Sequence, residues 1–545
     1  MRTILGEDAD GAEAVGEGGA SAAGEAAPAP AADSGRLTRL TSLLPSWTFA
    51  ALVAGAVAVG VVLRLYSRSP LWLDEALSVN IANLSVGDLF EALRHDGHPP
   101  FYYLLLHYWM AVVGEGDVTV RLLSAIFGVA ALPLAWIAGR RIAGLAGARW
   151  ALVLVALSPY CIRYSTETRM YSLVMVLVLA GYLLLTDALK APTWPRLVGL
   201  AVLSGLLLLT QYWSFWLLAA VVLVLGWRWR GRRDERPATL RTILALVAGG
   251  VLFLPWLPAF LYQAAHTGTP WADPVRPTML LEMTLQDLGG GEVAEGKLGG
   301  AAVLVLCLIA LFAVRWAGRE LVLDMGTAPT VRAEMAVIGL TMAVGCVMGY
   351  LTGATYQARY AAVFIPLVLV VAAVGLTRIP GFAQVVAGAI VLVLAIGGIG
   401  WVEFYQRTQS EPVAAAVAAH AEPGDVVVYC PDQLGPAYSR AMPDDLVELA
   451  YPTLAPPDRV DWVDYAERNA AAEPEQLAAH IREEYAGQAV FVVWKAQYET
   501  FGEQCERFLS ALGDGSSSGP PQGLVAADEG RYYEPANVSW VRSVG

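Results

Sequence analysis

The sequence predicts a mainly α-helical, polytopic membrane protein that carries a smaller α/β domain at its C-terminal end. Three observations lead there. Hydrophobic side chains make up 56% of the 545 residues and mean hydropathy is +0.51, which takes the chain out of the soluble class. Apolar runs of about 20 residues, the length that crosses a bilayer, recur between residues 48 and 401. Beyond 402 the pattern changes to short apolar strands separated by polar helices and Pro/Gly turns.

Residues 1–35 combine Ala, Gly, Glu and Pro with almost no large apolar side chain, so they cannot bury enough surface to offset ordering entropy and are expected to form a disordered acidic tail. Much of the formal net charge of −13 sits in that tail and after 402, so it says little about the membrane part. The tail lacks a basic stretch followed by an apolar core and is expected to be neither a cleavable signal nor a transit peptide. Lysine is scarce (Lys190, Lys297, Lys495) while Arg, Ala and Gly abound, the usage of a GC-rich bacterial genome. No nucleic-acid partner is expected.

Residues 36–401 form the expected membrane module. Spans are expected near 48–66, 121–139, 146–162, 170–188, 196–211, 212–227, 241–263, 299–315, 335–351, 359–377 and 382–401, about eleven crossings. Arg36, Arg39, Arg140, Arg141, Arg149, Lys190, Arg196, the WRWRGRR run at 227–233, Arg315 and Arg319 all fall on one side, which the positive-inside rule makes cytoplasmic. The N-terminus is then cytoplasmic, in a bacterial plasma membrane. FYYLLLHYWMAVVG at 101–114 is apolar but short and rich in Tyr, His and Trp, and a crossing there would invert everything downstream. It is expected to lie at the outer interface.

The outer face then receives the first loop (67–120), the turns at 163–169 and 352–358, the loop 264–298 and the region 402–545. In that last region EPGDVVVYCP (422–431) and QAVFVVWK (488–495) read as strands. EQLAAHIREEYAG (475–487) and the segment around Cys505 read as helices, and a last strand follows the loop 513–523, together an extracytoplasmic α/β domain. Cys430 and Cys505 fit either a disulfide, which that compartment would preserve, or two buried thiols.

Polar residues that call for explanation cluster on this outer face. LWLDEALSVN places Asp74 and Glu75 at the start of a surface helix, where a carboxylate can act as a general base, bind a divalent ion, or simply favour the helix dipole. HDGHPPFYY puts His95, Asp96 and His98 before a Pro pair, ligand types that suit a divalent metal ion, with Asp96 and His98 the candidates, although the spacing matches no named site. SPYCIRYSTETRMYSL holds Arg163, Glu167, Arg169 and Tyr171, where a salt bridge is the simplest reading. TGATYQARYAAVF sets Tyr356, Gln357, Arg359 and Tyr360 at the mouth of a span, with Arg359 suited to a lipid phosphate.

LWLDEA, HPPFYYLL, RLLSAIFGVAALPLAWIAGRRIAG, SPYCIRYSTETRMYSL and QARY together resemble bacterial members of glycosyltransferase family 39, of the GT-C superfamily, which includes protein O-mannosyltransferases and aminoarabinose transferases. The resemblance covers roughly 45–265 and the QARY segment. It implies a GT-C fold whose first outer loop bears two surface helices, and an inverting transfer of a sugar from a polyprenyl-phosphate donor to a glycan, lipid or protein acceptor. It further implies Asp74 as catalytic base, Glu75, Glu167 and Arg169 lining the site, and Arg359 on the lipid phosphate; the expected catalytic group is therefore Asp74, Glu75 and Glu167, and the expected donor-phosphate group Arg169, Arg359, Tyr356 and Gln357. In the aminoarabinose branch Glu and Lys precede the Pro pair, where this chain has Gly97 and His98, which weakens any metal site carried over. A lipid transporter or flippase, which needs polar groups near the bilayer midplane, and a catalytically inactive envelope sensor are the rival readings.

Overall fold

The computed structural model describes residues 46–542, apart from 232, 270–271, 313–314, 318–319, 323 and 515–519. The acidic tail expected at 1–35 lies outside the described residues. Among the described residues six helices are long and apolar enough to cross a membrane, Asp117–Ala156, Tyr171–Lys190, Arg236–His266, Ala294–Leu311, Arg332–Thr352 and Gly381–Phe404. Shorter apolar helices cover Thr48–Arg64, Phe101–Val113, Trp194–Leu208 and Ile365–Arg378. The described chain is thus a membrane-embedded helical module followed by an α/β region.

The longest helix, Asp117–Ala156, is two helices in sequence. Ala143 and Gly144 leave helical geometry, and Gly144 takes φ +64°, a left-handed value that suits glycine. The chain doubles back there, since a Cβ on Gly139 would meet the Gly147 oxygen at 2.5 Å. This is the break expected between 139 and 146. The C-terminal end of the second arm is capped from elsewhere: the buried Arg64 guanidinium donates to the carbonyls of Val155 and Ala156, both at 2.7 Å.

Between the first two long hydrophobic segments the chain makes α-helices Leu73–Ala82, Val86–Asp96 and Phe101–Val113. The resemblance implied two helices in this loop, and there are three. Ser85 caps the second by accepting from the Asp88 amide, and Gly97 ends it at φ +83°. Phe101–Val113, at 13 residues, is roughly 20 Å long and falls short of the ~30 Å hydrocarbon core.

After the last long apolar helix, Gly381–Phe404, β-strands Gln406–Thr408 and Tyr532–Glu534 pair in parallel with Thr408 opposite Glu534. A separate five-stranded sheet runs in the order Val447–Ala450, Val426–Cys430, Val490–Trp494, Asn537–Val541, Gln522–Val525, with Asn537–Val541 running antiparallel to the other four. The expected strands at 422–431 and 488–495 are its centre, fully buried through Val426–Cys430. Cys430 and Cys505 are disulfide-bonded, which decides between the two readings. Cys161 and Cys307 are buried free thiols.

Backbones meet closely where Pro277–Gly289, Ala294–Leu311 and Gly381–Phe404 cross. A Cβ on Gly289 would lie 1.9 Å from the Gly296 oxygen, and one on Gly398 would lie 1.9 Å from the Gly289 oxygen, so small residues set the approach. Gly398→Val is expected to lower stability by about 1–3 kcal/mol through overpacking. Thermal melting of the detergent-solubilised protein reads it, and Gly400→Val, where a Cβ meets nothing within 4 Å, should leave the melt unchanged.

Candidate active site

Trp72 occupies the N-cap position of helix Leu73–Ala82 in an extended conformation and makes no side-chain cap, so the helix begins on two acids, Asp74 and Glu75. Neither acid is used up as a cap. Successive residues on a helix point about 100° apart, and these two go to different partners.

Glu75 is fully buried. Both of its oxygens are engaged by Arg121, Nε to Oε1 at 2.8 Å and Nη2 to Oε2 at 2.6 Å. Arg407 adds Nη1 to Oε2 at 3.1 Å, and the Thr168 amide donates to Oε1 at 2.9 Å. Burial pushes this carboxyl up, but the two guanidinium groups and their hydrogen bonds outweigh it and hold it at about 2. Its geometry corrects the expected catalytic role: with four donors on two oxygens, Glu75 has no lone pair aimed at a substrate.

Asp74 is placed differently. Its Oδ2 lies 3.4 Å from Arg359 Nη1 and 3.9 Å from Arg169 Nη2, without hydrogen-bond geometry to either. Arg169 is held rigidly, donating from Nη1 to Ser78 Oγ at 2.9 Å, the Tyr103 hydroxyl at 3.1 Å and the Asp74 carbonyl at 3.3 Å. Arg359 enters from the 3-10 turn Ala358–Val363, with its guanidinium 5.7 Å from the Trp72 ring centre and 5.9 Å from that of Tyr360. Burial disfavours the charge on both arginines, yet Tyr103 and Asp74 beside Arg169, and Asp74 and Tyr171 beside Arg359, raise them well above the ordinary value. Both stay cationic. Three buried polar atoms here, Asp74 Oδ2, Arg169 Nε and Arg359 Nε, have no hydrogen-bond partner.

Glu167 accepts from Trp72 Nε1 at 2.9 Å through Oε1, and its Oε2 is buried without a partner. Burial raises it, Arg407 and Arg163 pull it back, and Glu75 and Asp74 push it up again. Tyr356 turns its hydroxyl to Thr284, 2.6 Å away, and packs on Trp213, so that hydroxyl is already engaged. Gln357 precedes the 3-10 turn in an extended conformation and accepts the Tyr360 amide on its carbonyl.

The residues expected to hold a metal do not fit one. Arg169 Nη2 sits 2.8 Å from His98 Nε2 and is a donor only, so Nε2 accepts and Nδ1 carries the ring hydrogen, which it donates to Asp96 Oδ2 at 2.8 Å. Tyr103 also donates to that Asp96 oxygen. Both imidazole nitrogens are therefore occupied, and a fixed cation abuts one of them. Among the described residues no group of three or more His, Cys, Asp or Glu side chains could hold a metal ion.

Residues 97–258 match the family described as dolichyl-phosphate-mannose-protein mannosyltransferase. Over nearly its whole length the chain also superposes on ArnT from Cupriavidus metallidurans. The apo structure of that protein gives a TM-score of 0.58 at 14% identity, covering 90% of this chain and 98% of the other. The structure bound to undecaprenyl phosphate gives 0.55 at 14% identity, covering 90% and 97%. The chain thus shares that protein's fold and, over 97–258, is similar to the mannosyltransferase family. No curated protein sequence matches it. The GT-C fold expected from the motifs is thus its fold, and the matched segment contains His98, Tyr103, Arg121, Glu167 and Arg169 but neither Asp74 nor Arg359.

Several residues of this cluster escaped the sequence reading. Arg121 opens an apolar span and reads there as an ordinary interfacial arginine. Arg407, beyond the last span, also donates to the Thr166 carbonyl at 2.7 Å and the Thr166 hydroxyl at 2.8 Å. Glu534 accepts the Leu73 amide at 3.3 Å and so touches the residue just before Asp74. Burial pushes Glu534 up to about 8; the Leu73 amide pulls it back, and nearby Asp74 adds a push that Thr408 and Lys495 oppose. Tyr533 sets its ring edge against Trp72, with centroids 5.3 Å apart.

Glu75→Gln should destabilise the protein by on the order of 3 kcal/mol, since it leaves two buried guanidinium groups short of their counter-ion. The carboxyl lies at about 2 when folded against 4.5 as reference, so its contribution is present above pH ~4.5 and fades as pH falls towards 2. The difference in melting temperature between wild type and variant should therefore shrink across that window.

Proposed function

We propose that this protein is an integral membrane glycosyltransferase that transfers a sugar from a polyprenyl-phosphate donor to an extracytoplasmic acceptor with inversion. The observation that carries the reading is the set of buried, unpartnered atoms on Asp74, Arg169 and Arg359. Buried polar groups are nearly always paired, and an anionic phosphate ester with an acceptor hydroxyl would complete this set. Undecaprenyl phosphate bound to the similar ArnT supports a donor of that class.

In this scheme the donor phosphate lies on Arg359, with the fixed Arg169 beside it, which draws Arg359 from Asp74 and leaves its carboxylate to take a proton. The acceptor oxygen bonds to the anomeric carbon, its proton passes to Asp74, and the anomeric carbon–phosphate oxygen bond breaks. The two guanidinium groups stabilise the charge that builds on the leaving phosphate. One base on the face opposite the leaving group suffices for inversion. Glu167, raised and half-satisfied, orients Trp72 at the edge of the site, Glu75 positions the helix that bears Asp74, and Tyr356 and Gln357 shape the turn that presents Arg359. Because the charges gather at the helix ends, transfer is favoured over a transport path.

For topology we propose eleven crossings. The ten apolar helices and Ser214–Gly231 supply them, with Asp117–Ala156 counted twice at Gly144 and Phe101–Val113 left at the interface. The N-terminus is then cytoplasmic in a bacterial plasma membrane and the α/β region 402–545 is extracytoplasmic, where the Cys430–Cys505 disulfide is at home.

Asp74→Asn should lower sugar transfer from a radiolabelled polyprenyl-phosphate sugar by about 10²–10⁴-fold while lipid-phosphate binding persists. Full activity in that variant would remove Asp74 as base. Arg359→Ala should instead weaken binding of undecaprenyl phosphate by about tenfold or more, the loss of one charge-assisted contact, read by ligand-induced change in melting temperature.

A further inference from the structure

Resting on the transferase reading above, we propose that Tyr533 and Glu534, carried by the C-terminal α/β region, form the acceptor subsite of this enzyme and that the acceptor they take is a saccharide. Neither residue lies in the segment matched by the mannosyltransferase family; Glu534 reaches the residue just before the proposed base, and Tyr533 packs on Trp72, two residues before it.

The backbone that carries them is fixed. Strand Tyr532–Glu534 pairs with Gln406–Thr408, and the Glu534 carbonyl accepts from the Tyr438 hydroxyl at 2.8 Å and the Gln409 amide at 3.2 Å. The Tyr533 side chain is nonetheless left out. At 46% exposure it is the single exposed large hydrophobic side chain among the described residues of 406–542. Every other aromatic ring of that region is at least partly buried, so this exposure is local.

What Tyr533 stands over is the site itself. Its ring meets Trp72 edge-on, the Arg163 guanidinium lies 5.9 Å from its centre, and Trp72 in turn contacts Glu167 and Arg359. The next residue, Glu534, reaches the Leu73 amide. An aromatic face followed at once by a carboxyl group is matched by a pyranose or furanose, whose C–H face packs on the ring while its hydroxyls bond the carboxyl. Held neutral near pH 7, Glu534 can both donate to and accept from a hydroxyl. The proton balance of transfer is unchanged: one acceptor hydroxyl gives its proton to Asp74, and Glu534 binds a neighbouring hydroxyl.

The test uses the full chain in nanodiscs with radiolabelled polyprenyl-phosphate mannose and polyprenyl-phosphate arabinose as donors. Octyl glycosides and a Ser/Thr-containing peptide serve as acceptor probes, and release to water is followed in parallel. Wild type is expected to label a glycoside. Tyr533→Ala should raise the KM for that glycoside by about tenfold, the worth of one aromatic contact, and lower the ratio of transfer to hydrolysis in step, with Tyr533→Phe restoring both. Hydrolysis without glycoside transfer, labelling of the peptide alone, or equal loss of transfer and hydrolysis in Tyr533→Ala at unchanged KM would each overturn the subsite and leave the transferase reading standing. No sugar release at all from either donor would overturn both.

Discussion

Everything that positions the proposed base depends on one buried ion cluster, Glu75 between Arg121 and Arg407. Its members come from the first loop, from the start of a long apolar helix and from the strand that follows the last one, and the Thr168 amide ties in a fourth segment. Taking three charges out of water is expensive, and the arrangement holds because each oxygen of Glu75 receives two donors. Such a cluster adds little net stability compared with a well-packed apolar substitute. What it provides is register: four segments distant in sequence are locked to one carboxylate, and Asp74, the next residue along, is thereby aimed.

The two neighbouring acids show how one turn of helix separates structural from chemical duty. Glu75 is saturated and depressed, whereas Asp74 faces two arginines at ion-pair distance with an oxygen left unbonded. Arg169 is spent largely on the protein, through Ser78, Tyr103 and His98, while Arg359 is held mainly by aromatic faces. Of the two, Arg359 therefore has more donors to offer an incoming anion. His98, caught between Asp96 and Arg169, serves as a brace for the latter and not as a ligand.

Much of this was legible from the chain. Apolar runs revealed the long helices, and the doubling back at Gly144 followed from the charged gap between two such runs. Asp74, Glu167, Arg169 and Arg359 stood out because charge at the mouth of an apolar span needs a reason. Arg121 and Arg407 did not, because an arginine does not announce its partner, and these lie 46 and 332 residues from Glu75. Strands Gln406–Thr408 and Tyr532–Glu534, three residues each, are too short to show alternation, so the single last strand expected after 523 did not separate the segment that carries Tyr533 and Glu534 to the site. Tyr356 misled through proximity to Arg359: along the extended backbone at Gln357 its side chain departs towards Thr284.

The parallel pairing of Gln406–Thr408 with Tyr532–Glu534 has a consequence in time as well as in space. Residues 74, 169 and 359 leave the ribosome and enter the membrane long before residue 534 exists. A nascent chain thus carries the proposed base and the proposed phosphate-binding arginines before the strand beside them is made, and pairing of that strand with Gln406–Thr408 completes this wall of the proposed site.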